Sequence, residues 1–122
     1  GTLEAFQTLS TLPDDFSGEN SNAQIHMSPN GKFLYAANRG HNSIVMYEVN
    51  ASTGELTSLG QQPSLGTPRA FGIDPKGKFM LVGGLDNGDL ATYKIEPTGT
   101  LSQLKTQPIG DQPMWIHITD PV

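Results

Sequence analysis

The sequence predicts an all-β fold made of β-propeller blades: about two four-stranded antiparallel units with partial strands at both ends. Three observations carry this. The hexamer SPNGKF at residues 28–33 returns as DPKGKF at 74–79, a spacing of 46. The echo then extends, because Tyr47 is answered by Tyr93 and, after a one-residue deletion, Thr53-Gly54-Glu55-Leu56 is answered by Thr98-Gly99-Thr100-Leu101. Fourteen Gly and nine Pro at spaced positions mark frequent turns, and the segments between them are short and alternate in polarity. Repeats of about 40–50 residues with four strands each are the signature of propeller blades. A single blade buries too little apolar surface, so blades stack around an axis and close a ring of typically four to eight. Two units cannot close one. The remaining blades are therefore expected from the same parent, of which this chain would be the C-terminal part, or from other copies of the chain.

Each element has a local reason. Ala23, Ile25 and Met27 alternate with Gln24, His26 and Ser28, giving an inner strand that ends at Asn30-Gly31, where a tight hairpin needs positive φ. Residues 33–38 form a second strand and 39–42 a polar connection. Residues 43–49 make a third strand rich in β-branched and aromatic side chains, and Thr53-Gly54 turns the chain again. A weaker edge strand runs over 56–62, and Pro63 and Pro68 stop the sheet there. The blade at 69–107 repeats the plan of the blade at 23–62. Residues 114–118 then predict a closing inner strand of a further blade. Residues 1–12 predict the outer strand of a preceding one, since Gly1-Thr2-Leu3 aligns with Gly54-Glu55-Leu56.

Composition narrows the function. The absence of cysteine removes disulfides, thiolate metal sites and thiol nucleophiles together. Net charge is −5 with seven scattered Lys and Arg residues, which lacks the basic footprint of a nucleic-acid binder. No apolar run approaches the roughly 18 residues of a membrane span, and the first residues lack a signal-peptide pattern, so a soluble, cytoplasmic protein is expected. Asp14-Asp15 and Glu19 lack EF-hand spacing, and no metal site is expected. Asn50-Ala51-Ser52 fits a glycosylation tripeptide without a secretory context. Neither Ser28 nor Ser43 has a nucleophile-elbow setting.

The stretches IHMSPNGKFLYAANRGHNSIVMYEVNASTGEL (25–56) and TPRAFGIDPKGKFMLV (67–82) resemble the C-terminal portion of the seven-bladed β-propeller lactonase family. Its members include propeller-type 6-phosphogluconolactonases and fungal-type 3-carboxy-cis,cis-muconate lactonizing enzymes. The hairpin motif alone recurs in many propellers; N-R-G-H-x-S-I at 38–44, T-G-E-L at 53–56 and T-P-R-x-F at 67–71 are more distinctive. The resemblance implies lactone chemistry without a required metal or other cofactor, acting on a small-molecule lactone or an anionic sugar acid. The expected activity of the parent is hydrolysis of a sugar-acid lactone such as 6-phosphogluconolactone. The alternatives are muconate-type cycloisomerisation and a non-catalytic scaffold of the YVTN type. The family's catalytic set draws on several blades, so the isolated chain is expected to be inactive.

In an up-down sheet alternate connections emerge on one side, so the 39–42 and 85–88 loops share a face with the interblade segments, away from the tight hairpins. Arg39, His41, Arg69 and Asp86 mark that face for inspection. Arg39 and His41 are the candidate catalytic residues. The arginine fork suits a carboxylate, a phosphate or the charge growing on a lactone oxygen, unless it serves a blade-to-blade ion pair. The imidazole suits proton transfer near neutral pH, unless it caps the loop. Arg69 and His26 are the substrate-binding candidates. Arg69 aligns with Ala23 and Met114 and so is not demanded by the repeat; a local salt bridge is its structural alternative. His26 aligns with Gly72 and His117 on inner strands, facing either the channel or a neighbouring blade. Phe33, Phe79, Tyr47, Tyr93 and Trp115 are read as interblade core.

Overall fold

The computed structural model describes residues 1–121. Its strands are β1 (Ser21–Met27), β2 (Phe33–Arg39), β3 (Ser43–Val49), β4 (Leu56–Pro63), β5 (Pro68–Ile73), β6 (Phe79–Gly84), β7 (Asp89–Ile95) and β8 (Leu101–Pro108). They form two antiparallel sheets in sequential order, β1-β2-β3-β4 and β5-β6-β7-β8, which is the expected pair of blades. Among the described residues no helix is long and apolar enough to cross a membrane.

The blades stack through a continuous core in which Tyr35, Ala37, Ile44 and Met46 of the first face Phe71, Met80, Val82 and Tyr93 of the second. Burying a side chain such as Phe71 or Val82 contributes roughly 1.5–3 kcal/mol, so this contact is the main link between the sheets. Two buried phenols fix its register. Tyr35 Oη donates to the carbonyl of Gly99 (2.8 Å) and Tyr93 Oη donates to that of Pro63 (3.2 Å), each crossing from one blade to the other. Burial pushes the Tyr35 hydroxyl up to about 12.

The prolines mark the sheet boundaries from inside, since Pro63 pairs with Ser43 as the last residue of β4 and Pro68 with Gly84 as the first of β5. Both outer strands carry a bulge at one repeat position, Leu59 in β4 and Leu104 in β8. Leu59 packs into the interblade core, whereas Leu104 stays exposed because no blade of this chain lies beyond it.

The two ends differ from the strands expected at 1–12 and 114–118. Neither segment makes a hydrogen-bonded ladder, because neither has a strand of its own blade to pair with in this chain. Both instead lie on sheet faces. Tyr47 Oη donates to the carbonyl of Ser10 (2.9 Å), and the Gln7 amide exchanges two hydrogen bonds with the backbone of Leu56. At the far face, a Cβ on Gly72 would stand 3.2 Å from the Ile116 side chain and one on Gly83 3.2 Å from Pro113, so glycine there lets the terminal segment approach. Of the aromatics assigned to the core, Phe33, Tyr47 and Tyr93 are buried. Phe79 and Trp115 are exposed (43% and 74%), with no further blade of this chain lying over them.

Candidate functional site

The site is built where the two inner strands begin. Arg39 is the last residue of β2, and its Nη2 donates to the carbonyl of Asn22 (2.9 Å), which holds the guanidinium against the start of β1. Its Nε is buried without a hydrogen-bond partner. The loop that follows is tightly specified. Gly40 has φ +125, and a Cβ there would collide with the Glu19 carbonyl, so only glycine permits the close approach. Asn42, also left-handed at φ 55, accepts from the N–H groups of Gly40 (3.2 Å) and Thr67 (3.0 Å) through Oδ1. It thereby ties the Arg39 loop to the segment that leads into the second blade.

Arg69 reaches the same place through a backbone irregularity. It is the extra residue of a bulge between the Pro68–Gly84 and Ala70–Gly83 pairs, and β1 carries its own bulge over residues 23–24. A bulge re-aims a side chain that regular alternation would send elsewhere. Arg39 and Arg69 consequently line one cleft of about 340 Å³ together with Asn22, Gln24, Met114 and Trp115. Gln24 is held in place by accepting the Phe71 N–H at Oε1 (2.9 Å). Arg39 also lines a larger cleft, about 790 Å³, with Gly18–Ser21 and Thr67.

The electrostatics are one-sided. Among the described residues the one ion pair is Lys94–Glu96, so neither Arg39 nor Arg69 has a carboxylate within 4.0 Å. The first cleft thus holds two uncompensated positive charges flanked by amides and an exposed indole, an arrangement suited to an anion carrying a polar ring. Among the described residues no group of three or more His, Asp or Glu side chains converges as metal ligands.

Neither histidine shares this cleft. His41 turns the other way: its Nδ1 hydrogen-bonds the Ser43 hydroxyl (2.7 Å), its ring meets Phe16 edge-on at 4.9 Å, and its backbone N–H donates to Asn20 Oδ1 (3.1 Å). His26 sits between the blades with its ring edge-on to Phe71 at 4.8 Å and its Nε2 buried without a partner. His117 is exposed, so the three aligned positions do not share one environment. Asp86 accepts the Thr67 hydroxyl (3.0 Å) and packs against Gly66, away from the arginines.

Several contributors escaped sequence reasoning. Asn38 is fully buried; it donates to the Thr11 carbonyl (2.8 Å) and to Ser43 Oγ (3.2 Å), and it accepts from the amides of Asn20 and Asn22. This network anchors the strand end that carries Arg39. Its one sequence signal was the asparagine inside N-R-G-H. Gln24 and Trp115 gave none, because their roles depend on the bulge and on the path of the terminal segment.

Fold and site together define a propeller fragment with an arginine-lined cleft between adjacent blades at the loop face. Residues 1–118 match the family described as Lactonase, 7-bladed beta-propeller. The chain belongs to that family. It is 35% identical over 119 residues to the 6-phosphogluconolactonases of Serratia proteamaculans (strain 568) and Klebsiella pneumoniae (strain 342), covering 97% of this chain and 36% of each relative. The chain thus spans about a third of the length of the curated relatives it matches. Among solved structures, a protein from Lactobacillus plantarum aligns with TM-score 0.81 at 32% identity, over 88% of this chain and 32% of that one. The periplasmic gluconolactonase of Pseudomonas aeruginosa aligns with TM-score 0.77 at 28% identity, over 83% and 29%.

Proposed function

We propose that the parent of this chain hydrolyses a sugar-acid lactone of the 6-phosphogluconolactone class, and that Arg39 and Arg69 are its anion clamp. The observation that carries the proposal is the convergence of these two arginines, both free of carboxylate partners among the described residues, on one cleft. The names of the relatives supply the substrate class. In such a reaction water adds to the ring carbonyl, and charge grows on that oxygen before the ring C–O bond breaks. One guanidinium takes the phosphate or carboxylate of the substrate, and the other offsets the growing charge. Arg39, with its unpartnered Nε, is assigned the second role, and Arg69 the first.

Since neither histidine faces the cleft, His41 is assigned a positioning role: through Ser43, Phe16 and Asn20 it holds the loop that presents Arg39. His26 supports the floor by packing on Phe71, whose N–H orients Gln24. The group that takes the proton from water then comes from another blade, and the isolated chain is inactive. Residues 1–12 are assigned to the outer strand of a preceding blade and 114–118 to an inner strand of a further one, with the remaining blades from the same parent. The support is a repeated contact. Aligning Leu3 with Leu56 sets Ser10 opposite Pro63, and the Tyr47–Ser10 hydrogen bond then repeats the Tyr93–Pro63 bond one blade on.

A phosphorylated lactone does not cross membranes unaided, which favours a cytoplasmic location over the periplasmic one of the Pseudomonas relative. The test is turnover of 6-phosphogluconolactone and unphosphorylated gluconolactone by the full-length protein and its Arg39→Ala and Arg69→Ala variants. Acid release lost in Arg39→Ala supports the reading. An unchanged rate rejects the site, and turnover of carboxymuconate instead of either lactone rejects the reaction.

A further inference from the structure

Among the described residues Thr67 is the one β-branched residue with a left-handed backbone (φ 48). A branched Cβ disfavours that conformation, and so does Pro68 behind it, since a residue before proline prefers an extended backbone. Two independent preferences are overridden at one position. Such strain persists only where neighbouring contacts hold it, and it gathers at sites that need a fixed geometry.

The contacts come from both blades. The Thr67 N–H donates to Asn42 Oδ1 in the loop of the first (3.0 Å), while its carbonyl accepts the Leu85 N–H (3.0 Å) and its hydroxyl donates to Asp86 Oδ2 (3.0 Å) in the second. Asn42 fastens the link again, because its carbonyl accepts the Ser64 N–H (2.9 Å). The same Oδ1 takes the Gly40 N–H (3.2 Å), so one amide oxygen stands between the residue after Arg39 and the residue two before Arg69. Every partner in this clasp lies in the two blades or in the link between them. Its geometry does not wait on a further blade.

The two arginines depend on the clasp unequally. Arg39 has holds of its own, since it pairs with Ser21 in the β1–β2 ladder and its Nη2 donates to the Asn22 carbonyl. Arg69 is the extra residue of its bulge and has no ladder partner, so its place follows from Thr67 and the fully buried Pro68. The fixed φ of proline passes the Thr67 conformation on with little slack.

We infer that Asn42 is a positioning residue that holds Arg69 in place opposite Arg39 through the strained Thr67, and that it thereby sets the preference for a phosphorylated over a plain lactone. The inference rests on the assignment of Arg69 to the substrate phosphate.

The test is kcat and KM of the full-length protein for 6-phosphogluconolactone and unphosphorylated gluconolactone, in Asn42→Gly, Asn42→Asp, Arg69→Ala and the Asn42→Gly/Arg69→Ala double variant. Glycine keeps the left-handed backbone and deletes the acceptor; aspartate keeps both. Asn42→Gly is expected to raise KM for the phosphorylated lactone by about tenfold, the weight of one hydrogen bond, with kcat and the plain lactone within about twofold. Asn42→Asp should restore KM. Adding Asn42→Gly to Arg69→Ala should change nothing further, as for two residues that act through one contact. A merely structural role has another signature, because partial unfolding lowers kcat with both lactones and leaves KM alone. Equal losses with both lactones, no rescue by aspartate, or additive effects in the double variant would each overturn the inference. A KM raised by Arg69→Ala but not by Asn42→Gly overturns it while the arginine clamp stands. A KM unmoved by Arg69→Ala, or no turnover of either lactone, removes the clamp and the inference together.

Discussion

The two blades agree at one end and part company at the other. At the tight hairpins, Asp74 alone accepts the N–H groups of Lys76, Lys78 and Phe79, a job that Ser28 and Asn30 divide in the first blade. The side chains differ, yet the backbone result is the same: Ser28 and Asp74 each donate the backbone N–H to the carbonyl of the phenylalanine five residues on and accept the N–H of the turn glycine. At the loop face, Arg39-Gly40-His41-Asn42 places a guanidinium in a cleft, whereas Leu85-Asp86-Asn87-Gly88 sends a carboxylate to a threonine hydroxyl. Positions that every blade needs for folding recur in both copies. The proposed anion clamp lies where the copies differ, since a ring of blades needs its reactive groups only once.

The largest expected effect breaks the loop-face difference. Replacing Arg39 by Ala in the full-length protein should lower kcat/KM for the lactone by roughly 10²–10³, the usual loss when one charge-stabilising donor is removed from a reaction site. Asp86→Ala should change it little, and steady-state kinetics of the two variants measure the contrast. Arg69→Ala should act chiefly on KM, and more on the phosphorylated than on the plain lactone.

Next come the glycines at the β3–β4 and β7–β8 turns. Gly54 (φ +77) and Gly99 (φ +85) are repeat equivalents, but a Cβ on Gly99 would run into the Phe33 ring, while one on Gly54 would meet Phe6 at an ordinary 3.6 Å. Gly99→Ala should therefore cost roughly 3 kcal/mol, combining overpacking with left-handed strain, and Gly54→Ala only about 1 kcal/mol. Urea unfolding of the full-length protein compares them, and equal costs would show that Phe33 of the first blade does not confine the Gly99 turn as the contacts indicate.

Alkaline titration probes the interface itself. Burial raises the hydroxyls of Tyr35, Tyr47 and Tyr93, with Tyr35 at about 12 against an ordinary 10.0. The folded state therefore holds these protons more tightly than the unfolded one. Stability is fully present below pH 10, falls as pH rises through 12, and for Tyr35 the loss is about 3 kcal/mol at most. Tyr35→Phe should flatten that part of the profile, as followed by chemical denaturation at stepped pH.

The smallest contrast returns to the hairpins. Asp74→Ala removes acceptors from three N–H groups and should cost about 1–2 kcal/mol. Ser28→Ala removes one acceptor, leaves Asn30 in place, and should cost about 1 kcal/mol or less in the same assay.

Strand order, turn positions and the number of blades were legible in the residues because each rests on local chemistry: alternation along a strand, glycine where φ is positive, and a phrase written twice. Arg39 was legible through its motif. Arg69 was legible only as an oddity in the repeat, since nothing in T-P-R-A-F announces a bulge, and one inserted residue is enough to reverse the direction of a side chain. The same limit separated both histidines from the site to which sequence logic assigned them. An imidazole near an arginine in the chain can point to the other side of a loop, as His41 does toward Phe16.

By itself, then, the sequence determined that the chain makes two antiparallel blades with a polar loop carrying an arginine, because hairpins and strands are set by neighbours within a few residues. Tertiary structure alone decided that Arg39 meets Arg69, that His26 belongs to the blade interface, and that Asn42 holds Thr67. Those meetings join residues dozens of positions apart, and they follow from bulge register and blade stacking, which no local pattern encodes.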